Sequence, residues 1–388
     1  MTKKVIISQL TVCMFSYYFH PQYSGSALQA ISLARKLRDK GIKVIFLTVN
    51  HDGLDETDVL DDFRVYRIPD GKGKFGEISL WKNMWVFLKH HKDEFRIMHS
   101  HGAYLRNSFV GPLSKIYGKK SVVKLTLANN DLYGLGSGRN GRLHRMFISM
   151  VDRYVSISRE ISEELRGYGL PDKKIREISN GVETEKFSPI SHEEKILLRK
   201  SFGLPEDGLM ALYTGVVDER KNVKWLADTW SSFCNDYPGY LVVVGPISRE
   251  DRDGRLYNSI KACGDRLNNK LFLFHYTDRI EKFYQMADIF VLPSTNEGMP
   301  NVVLEAMASG LSCLINKVSG AQDVMNEKNG MIFDVQRPET FSEGLFTLRN
   351  DSLRTEIGAA ARETIVRDFS IESVAEKYIS LYEEMLNA

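Results

Sequence analysis

Residues 289–310, IFVLPSTNEGMPNVVLEAMASG, predict a buried strand, a polar loop and a short helix in direct succession. The apolar run at 289–292 has no polar side chain on either face, which is typical of a strand buried on both sides in a parallel sheet. The strand is predicted to end at Pro293. Pro300 has a fixed φ and no N–H to donate, so it suits the first turn of the helix, and Gly310 ends that helix. The stretch therefore indicates an α/β fold.

Two carboxylates flank the start of this helix. Glu305 lies among apolar side chains, where an unpaired charge would cost about 3–5 kcal/mol, so it requires a partner. Glu297 lies in the loop, beside N–H groups and a helix dipole that favour an anion. A vicinal diol on Glu305, a diphosphate at the helix start and a polyol at Glu297 together describe a nucleotide sugar. The alternative is that Glu297 is solvated and Glu305 pairs with a buried arginine.

The same stretch resembles the donor-site signature of family-4 retaining glycosyltransferases. Their GT-B fold consists of two Rossmann-like domains facing each other across a cleft. The resemblance implies sugar transfer from a nucleotide-sugar donor, with a UDP-sugar favoured and GDP-mannose second. A GT-B epimerase or phosphorylase is the alternative. The residues that carry the resemblance are Glu297, Gly298, Met299, Pro300, Asn301, Leu304, Glu305, Ala306, Met307, Ala308 and Gly310.

A dinucleotide oxidoreductase is a third candidate class. Its binding fingerprint requires a strand that leads directly into G-x-G-x-x-G, and no predicted strand of this chain does so. The sequence therefore disfavours that class.

The size and composition of the chain fit a two-domain protein of a reducing compartment. Its 388 residues are enough for two hydrophobic cores, and its hydrophobic and charged fractions of 43% and 26% are ordinary for soluble proteins. Four cysteines occur without a C-x-x-C pair. The N-terminus is interpreted as a first strand rather than a signal peptide, and no apolar run reaches the roughly 20 residues of a membrane span. A cytoplasmic location is expected.

The segment 178–189 resembles the interdomain element of the family, with Asn180, Gly181 and Val182 at a strand end. The resemblance predicts an N-terminal acceptor-binding domain over residues 1–189 and a C-terminal nucleotide-sugar-binding domain over residues 190–370. In the GT-B fold the last helix crosses back, so residues 371–388 are expected to complete the first domain.

The N-terminal half begins with a predicted βαβ unit. Its elements are a strand at 4–8, a helix from about 27 to Gly41 and a strand at 42–49. The loop before the helix contains Gly25. In the resembled family a Gly-Gly pair in this loop lets the backbone approach the donor phosphate or the acceptor, so Gly25 is assigned to ligand binding.

His101, Asn130 and Asp131 of this half are assigned to the acceptor side. A predicted strand ends at His99 and His101, a pair that lacks the third ligand of a metal site. By resemblance, His101 lines the cleft. Many relatives carry a histidine at the position of Ala128, and its contact with the sugar therefore falls to Asn129, Asn130 or Asp131.

Two cations follow the strand predicted at 209–217. Arg220 and Lys221 face the same crevice as the 301 helix start, where they suit a diphosphate clamp. In the resembled family the lysine that matches Lys221 binds the diphosphate together with an arginine, and Val216 occupies the position of that arginine in this sequence. The alternative is that both cations pair with Asp218 and Glu219.

Strand ends of the C-terminal half supply the other donor-binding candidates. The resemblance implies that Gly215 and Gly245 hold the donor, that the loop containing Tyr276 packs on the base, and that a small-residue turn at 319–320 approaches the sugar.

Glu297, Lys221 and Arg220 are the predicted catalytic residues. No metal or other cofactor is expected, because the two cations and the helix start would stabilise the departing diphosphate. No general base emerges from the sequence. By resemblance, the leaving phosphate accepts the proton of the acceptor.

Charge is distributed unevenly along the chain. Residues 1–189 contain 30 Lys+Arg and 20 Asp+Glu, a net of +10; the totals of 52 and 50 leave 22 and 30, a net of −8, for residues 190–388. A basic half indicates a polyanionic partner, and without a zinc-finger or RNP signature an anionic membrane or lipid is favoured over nucleic acid.

Two basic segments predict reversible binding to the inner face of the plasma membrane. Residues 78–95 combine Trp81 and Trp85 with lysines on one predicted helix, a pattern that fits an interfacial helix as well as a core helix. Residues 136–147 are predicted to form a mobile loop with three arginines, which suits an acidic acceptor or plain solvation. A lipid-linked or surface-polysaccharide acceptor is therefore expected.

Overall fold

The computed structural model divides the chain into two compact units, Met1–Gly181 with Ile371–Ala388 (unit 1) and Val182–Ser370 (unit 2). The division falls earlier in the chain than Pro189. The predicted strand at 4–8 and Ser319 of the predicted turn lie outside the described residues. The structure describes residues 10–22, 25–71, 75–234, 236–248, 251, 253–268, 270–318 and 320–387.

Unit 1 contains an eight-stranded sheet with the order β3-β4-β2-β1-β5-β6-β7-β8, which is parallel except at its edge strand β3. Its strands are β1 (Thr11–Ser16), β2 (Lys43–Asn50), β3 (Thr57–Leu60), β4 (Phe63–Pro69), β5 (Ile97–His101), β6 (Lys120–Lys124), β7 (Arg153–Ser156) and β8 (Ile175–Glu177).

The helices of unit 1 are α1 (Gly25–Asp39), α2 (Gly76–His91), α3 (Leu105–Ser108), α4 (Val110–Ile116), α5 (Gly138–Ser149), α6 (Arg159–Gly167) and α15 (Ile371–Asn387). Helices α1 and α15 pack together against the sheet and bury Leu37, Tyr378 and Tyr382 in one core. Right-handed crossovers place α2 on the opposite face, because the chain crosses the sheet there in the other direction.

The prediction of a mobile loop over residues 136–147 is wrong, because most of this segment is helical. Helix α5 begins at Gly138 and buries Phe147, which lies 5.2 Å from the ring of Phe109. Burial of this apolar stripe against α2 and α4 outweighs the helix-breaking effect of the flanking glycines.

Unit 2 contains a six-stranded parallel sheet with the order β11-β10-β9-β12-β13-β14. Its strands are β9 (Leu209–Thr214), β10 (Gly239–Val244), β11 (Leu271–Phe274), β12 (Ile289–Leu292), β13 (Ser312–Asn316) and β14 (Met331–Phe333). Its helices are α7 (His192–Ser201), α8 (Val223–Phe233), α9 (Arg255–Arg266), α10 (Ile280–Met286), α11 (Asn301–Ala308), α12 (Ala321–Val324), α13 (Pro338–Thr347) and α14 (Asp351–Thr364).

The strand–loop–helix prediction for residues 289–310 is confirmed. All four residues of β12 are fully buried, as expected for a central parallel strand, and Gly310 follows α11 with a φ of +74°. Within the described ranges no helix combines the length and the apolar character that crossing a membrane requires.

Both sheets have a topological switch point, where the direction of strand addition reverses. In unit 2 it lies between β9 and β12, and in unit 1 between β1 and β5. The loops that leave the carboxyl ends of such a strand pair run to opposite faces of the sheet and open a crevice, which is where ligands bind in open α/β sheets. Each unit therefore offers one crevice for a ligand.

Candidate active site

The crevice of unit 2 contains a charged cluster around Glu297. This carboxylate is only 6% exposed. Lys221 Nζ lies 2.5 Å from its Oε1, Arg220 Nη1 lies 3.3 Å from its Oε2, and Ser294 Oγ donates a hydrogen bond of 2.6 Å to Oε1. The cluster thus joins the loop after β9 to the loop after β12, one on each side of the switch point.

Hydrogen bonds to backbone carbonyls hold these two loops together. Arg220 Nη1 donates to the carbonyl of Asn296 at 2.6 Å, and the N–H of Thr295 donates to the carbonyl of Arg220 at 3.1 Å. Asn316 on β13 donates to the carbonyl of Ser294 at 2.9 Å. These hydrogen bonds therefore fix the positions of the loops that carry the charged side chains.

The alternative interpretations of these residues are wrong. Glu297 is buried rather than solvated, and the Lys221 ammonium pairs with it rather than with Asp218 or Glu219. Asp218 instead accepts a hydrogen bond of 2.7 Å from the backbone N–H of Lys221.

Electrostatics keep Glu297 ionised. Burial alone would raise its pKa, but the charges of Lys221 and Arg220, with hydrogen bonds from Lys221 and Ser294, hold the pKa of Glu297 below its ordinary value. One carboxylate between two cations leaves a surplus positive charge. The crevice therefore favours an anionic ligand.

The start of α11 adjoins this cluster. Pro300 caps the helix with an extended backbone, Asn301 is its first residue, and Met299 is buried beneath the loop. Gly320 approaches this loop so closely that an added Cβ would lie 2.1 Å from the carbonyl oxygen of Gly298. Gly320 also has a φ of +69°, so both its space and its backbone require glycine.

The sequence suggested either a ligand diol or a buried arginine as the partner of Glu305, but the structure pairs it with a tyrosine. The hydroxyl of Tyr284 donates to its Oε2 at 2.7 Å and also lies 2.6 Å from Thr214 Oγ1. Burial raises the pKa of Glu305 to about 7. The pairing with a buried arginine is therefore wrong, and a tyrosine from α10 orients the carboxylate.

Gly215 and Gly245 lie at the carboxyl ends of adjacent strands β9 and β10. Their φ values are +144° and +157°, and a Cβ on Gly245 would lie 1.8 Å from the carbonyl oxygen of Gly215. Only glycine allows these two backbones to touch. Tyr276, in the loop after β11 at the edge of the sheet, is 63% exposed.

A D-x-D spacing occurs at Asp251 and Asp253, and both carboxylates have protein partners. Asp251 accepts hydrogen bonds from the N–H groups of Leu256 and Tyr257 at 3.1 Å each, and Asp253 pairs with Arg255 at 2.8 Å. In the part of the chain that the structure describes, no three His, Cys, Asp or Glu side chains are grouped so as to hold a metal ion.

The crevice of unit 1 is a cavity of about 260 Å³ lined by residues that follow β1, β5 and β6. His101 lies in its wall and is 3% exposed. No described residue makes a hydrogen bond to either of its ring nitrogens, and its ring stacks on His99 at 4.4 Å. Burial holds the pKa of His101 well below its usual value, so the imidazole is neutral.

The other predicted acceptor-side residues differ in their surroundings. Asp131 is buried and accepts a hydrogen bond of 2.7 Å from the N–H of Thr126, while burial raises its pKa to about 6. Asn130 accepts from the hydroxyl of Tyr104 at 2.5 Å. Asn129 donates to Glu160 on α6 at 2.8 Å. Of these three candidates, Asn130 and Asp131 line a second cavity, which adjoins the first.

Gly25 is not in a loop but is the first residue of α1. Its neighbour Ser26 lines the unit 1 cavity, so this end of α1 does lie at the crevice.

Sequence reasoning missed several residues of both crevices. Ser294 and Asn316 hold the Glu297 loop, Tyr284 holds Glu305, and Asn107 lines the unit 1 cavity. Ser294 could have been identified from its position just after a predicted parallel strand, where ligand-binding loops begin. Nothing local signals Tyr284, whose contact depends on how α10 packs.

Comparisons with known proteins agree with this architecture. The model of Glycosyltransferase Family 4 matches residues 23–186, and that of Glycosyl transferases group 1 matches residues 194–364. An uncharacterized glycosyltransferase from Methanocaldococcus jannaschii is 25% identical over 96% of this chain and 98% of its own length. The UDP-Gal:alpha-D-GlcNAc-diphosphoundecaprenol alpha-1,3-galactosyltransferase of Escherichia coli is 25% identical over 85% of this chain and 86% of its own.

Among solved structures, Anabaena HepE in complex with UDP and glucose superimposes with a TM-score of 0.79 at 15% identity, covering 97% of this chain and all of that one. Two Rossmann-like units with this topology define the GT-B class, which confirms the predicted fold. The chain belongs to the family-4 glycosyltransferases and is an enzyme of the glycosyl-transferring type.

Proposed function

We propose that this enzyme is a retaining glycosyltransferase that moves a sugar from a nucleotide-sugar donor, with a UDP-sugar favoured, to a glycan or lipid-linked acceptor. The observation that carries the proposal is the Glu297–Lys221–Arg220 cluster at the switch point of unit 2. Its surplus positive charge suits the diphosphate of the donor, while its ionised carboxylate suits a reacting sugar that gains positive charge.

In the proposed reaction the bond between the anomeric carbon and the diphosphate oxygen breaks, and a bond from an acceptor oxygen forms. Lys221 and Arg220 stabilise the negative charge that develops on the departing diphosphate. Glu297 stabilises positive charge at the anomeric carbon. The acceptor proton passes to the leaving phosphate, so no separate general base is required.

The donor is proposed to be held at its ribose by Glu305, which Tyr284 orients through the 2.7 Å hydrogen bond. Ionised Glu305 accepts two hydrogen bonds from a vicinal diol. A donor at 100 times its Kd stabilises the protein by about 2.7 kcal/mol, so a thermal-shift panel of UDP-, GDP- and ADP-sugars identifies the base. Glu305→Ala is expected to reduce the shift given by the preferred donor.

The test of the reaction class is the release of free nucleoside diphosphate with and without acceptor. A transferase releases it in step with acceptor consumption, an epimerase converts the nucleotide sugar into its epimer without net release, and a phosphorylase forms sugar phosphate. Release that is independent of acceptor would overturn the proposal.

We propose that no metal takes part, because Lys221, Arg220 and the start of α11 supply the positive charge at the diphosphate. Titration with EDTA is expected to leave the rate unchanged. A strict requirement for added Mg²⁺ or Mn²⁺ would contradict this step.

The proposed acceptor belongs to surface-glycan biosynthesis at the inner face of the plasma membrane. The E. coli relative named above is named for a sugar–diphosphoundecaprenol acceptor, which is a lipid. Helix α2 of unit 1 supports the same location: it exposes Ile78, Trp85 and Val86 beside Lys82 and Lys89. This face combines apolar side chains with positive charge, as an interfacial helix does.

Trp81 does not belong to this exposed face, contrary to the sequence-based expectation. Its ring stacks on Phe109 at 5.1 Å and meets Phe147 at 5.2 Å, so it joins α2 to the helices beside it. The proposed membrane contact therefore relies on Trp85 rather than on both tryptophans.

A further inference from the structure

We propose that the unit 1 cavity and the cavity beside it are consecutive subsites for an uncharged glycan, so that the acceptor is a neutral sugar chain of at least two residues. The inference rests on the proposed transferase function and specifies the chemical class of its acceptor. Three features of the first cavity carry it: unsatisfied buried polar groups, aromatic walls and a single cation that is already paired.

The first feature is a pair of buried polar groups that lack partners. His101 and Asn107 both line the cavity and are almost fully buried. Among the described residues, no group makes a hydrogen bond to either ring nitrogen of His101 or to Oδ1 of Asn107. Asn107 Nδ2 donates to Ser100 Oγ at 3.2 Å, which fixes Oδ1 as the free acceptor. A neutral imidazole offers one donor and one acceptor. Together these groups match the hydroxyls of a sugar.

The second feature is the aromatic lining. Tyr17, Tyr18 and Tyr104 contribute rings to the cavity wall, and the rings of Tyr17 and Tyr18 meet edge to face at 4.9 Å. A sugar ring has apolar C–H faces as well as hydroxyl edges. Ligand pockets of this mixed type use apolar walls for affinity and a few polar groups for orientation.

The third feature is charge. Arg106 is the one formally charged side chain among the described residues that line the first cavity. Its guanidinium lies 4.3 Å from the ring centre of Tyr17 and 3.3 Å from Glu77. Glu77 already compensates the charge of this cation, and the neutral His101 adds no second one. An acidic sugar would therefore find no unpaired counter-charge in the first cavity, and an uncharged sugar needs none.

The second cavity extends the first. It has a volume of about 380 Å³ and shares Tyr104 and Arg106 with the first cavity. Asn130, Ser137 and Asn140 add polar groups to its wall, and the acidic side chains of Glu77 and Asp131 in the same wall disfavour an acidic sugar. The hydrogen bond from Tyr104 to Asn130 joins the loops that form both cavities. A volume of about 260 Å³ for the first cavity is just below the usual range of small-ligand pockets, about 300–1,000 Å³, so a longer glycan must continue into the second.

The experiment is saturation-transfer NMR on the full-length protein with saturating UDP, which occupies the donor crevice. The probes are glucose, N-acetylglucosamine, maltose, N,N′-diacetylchitobiose, glucuronic acid and glucose 6-phosphate. Signals are expected from the neutral sugars, with a lower Kd for a disaccharide than for its monosaccharide and little signal from the acidic sugars. His101→Phe keeps the stacking on His99, and Asn107→Leu keeps the side-chain volume; each is expected to raise the Kd about threefold or more.

Folding of the variants is checked by thermal melting, and UDP affinity serves as the internal control because the donor crevice is untouched. Tyr18→Ala is the second test, since Tyr18 is 49% exposed and its loss spares the core. Absence of binding by every neutral sugar, stronger binding of the acidic sugars, equal affinity for mono- and disaccharides, or unchanged affinity in all three variants would each overturn the inference. Acceptor-dependent UDP release that persists in that case leaves the transferase function standing.

Discussion

At the scale of single residues, the state of Glu297 decides how the unit 2 crevice works. Its partners Lys221 and Arg220 keep it ionised, and in return it holds two cations in place. Removing the carboxylate altogether would leave Lys221 buried without a counter-charge, at a cost of about 3–5 kcal/mol. Alanine would in addition delete the acceptor of the hydrogen bonds from Lys221 and Ser294, whereas the isosteric glutamine keeps an acceptor oxygen and is the better probe.

Glu297→Gln is expected to lower kcat about 10²-fold, because a neutral amide no longer stabilises positive charge at the anomeric carbon. Steady-state kinetics with saturating donor measure the effect, and thermal melting shows whether the variant folds. The matched control is Asp228→Asn, which removes the carboxylate of the exposed Lys224–Asp228 salt bridge in the same unit. An unchanged kcat in Glu297→Gln would remove Glu297 from the catalytic residues.

Glu305 gives a prediction about stability and pH. Its folded-state pKa of about 7 lies above the ordinary value of 4.5, so its contribution to stability is fully present below pH 4.5 and is lost as the pH rises through 7. Glu305→Gln can still accept the Tyr284 hydrogen bond but does not titrate. The variant is therefore expected to gain stability relative to the wild type between pH 5 and pH 8, by at most about 3 kcal/mol.

Denaturant unfolding of both proteins across this pH range measures the difference in free energy of unfolding. Carboxylates with lowered pKa values, such as Asp288, titrate alike in both proteins and cancel in the difference. A difference that stays constant with pH would show that Glu305 does not titrate in this range.

At the scale of elements, both crevices arise because parallel strands deliver their following loops to the same edge of a sheet. In unit 2 this geometry brings Lys221, which follows β9, to Glu297, which follows β12, across a separation of 76 residues. Glycines allow two further close approaches of backbone in this crevice, Gly245 against Gly215 and Gly320 against Gly298.

Gly245→Ala is expected to destabilise the protein by more than about 3 kcal/mol, because its Cβ would lie 1.8 Å from a backbone oxygen and the strand ends must separate. The control is Gly203→Ala, which has a φ of +68° but no atom within 4 Å of the added Cβ. The control bears only the cost of a left-handed backbone, about 1–2 kcal/mol. Chemical denaturation compares the two, and equal losses would show that the close approach is not tight.

At the scale of the whole molecule, positive charge is concentrated in the first half of the chain, a net of +10 against −8 for the second half. The cations Lys82 and Lys89 border the exposed Trp85, which is 51% accessible, on α2. Each cation near an anionic leaflet contributes about 1 kcal/mol. The combination predicts a reversible membrane contact through this face of α2.

Co-sedimentation with phosphatidylglycerol vesicles tests this contact. Binding is expected at low salt and is expected to weaken as salt screens the charges. Lys82→Glu with Lys89→Glu is expected to abolish binding, whereas Lys200→Glu, at an exposed site of unit 2, serves as the matched control. Equal binding to neutral vesicles, or full binding by the double variant, would contradict an electrostatic anchor.

The sequence by itself determined the local elements and the family. The unbroken apolar run of β12 and the glycine after α11 are signals contained within a few residues, and backbone geometry turns them directly into structure. The same stretch carries Glu297 and Glu305 at a fixed spacing. For this reason the fold and the position of the unit 2 crevice followed from the sequence.

Only the tertiary structure decided which side chains meet. The partner of Glu305 is Tyr284 on another helix, the helix at 138–149 forms because α2 and α4 cover its apolar stripe, and His101 is left with two unsatisfied nitrogens by its burial beside His99. These outcomes depend on packing between segments far apart in the chain. The hydrophobic periodicity of one segment does not specify which distant segment packs against it. The free energy of each contact depends on the elements that surround it.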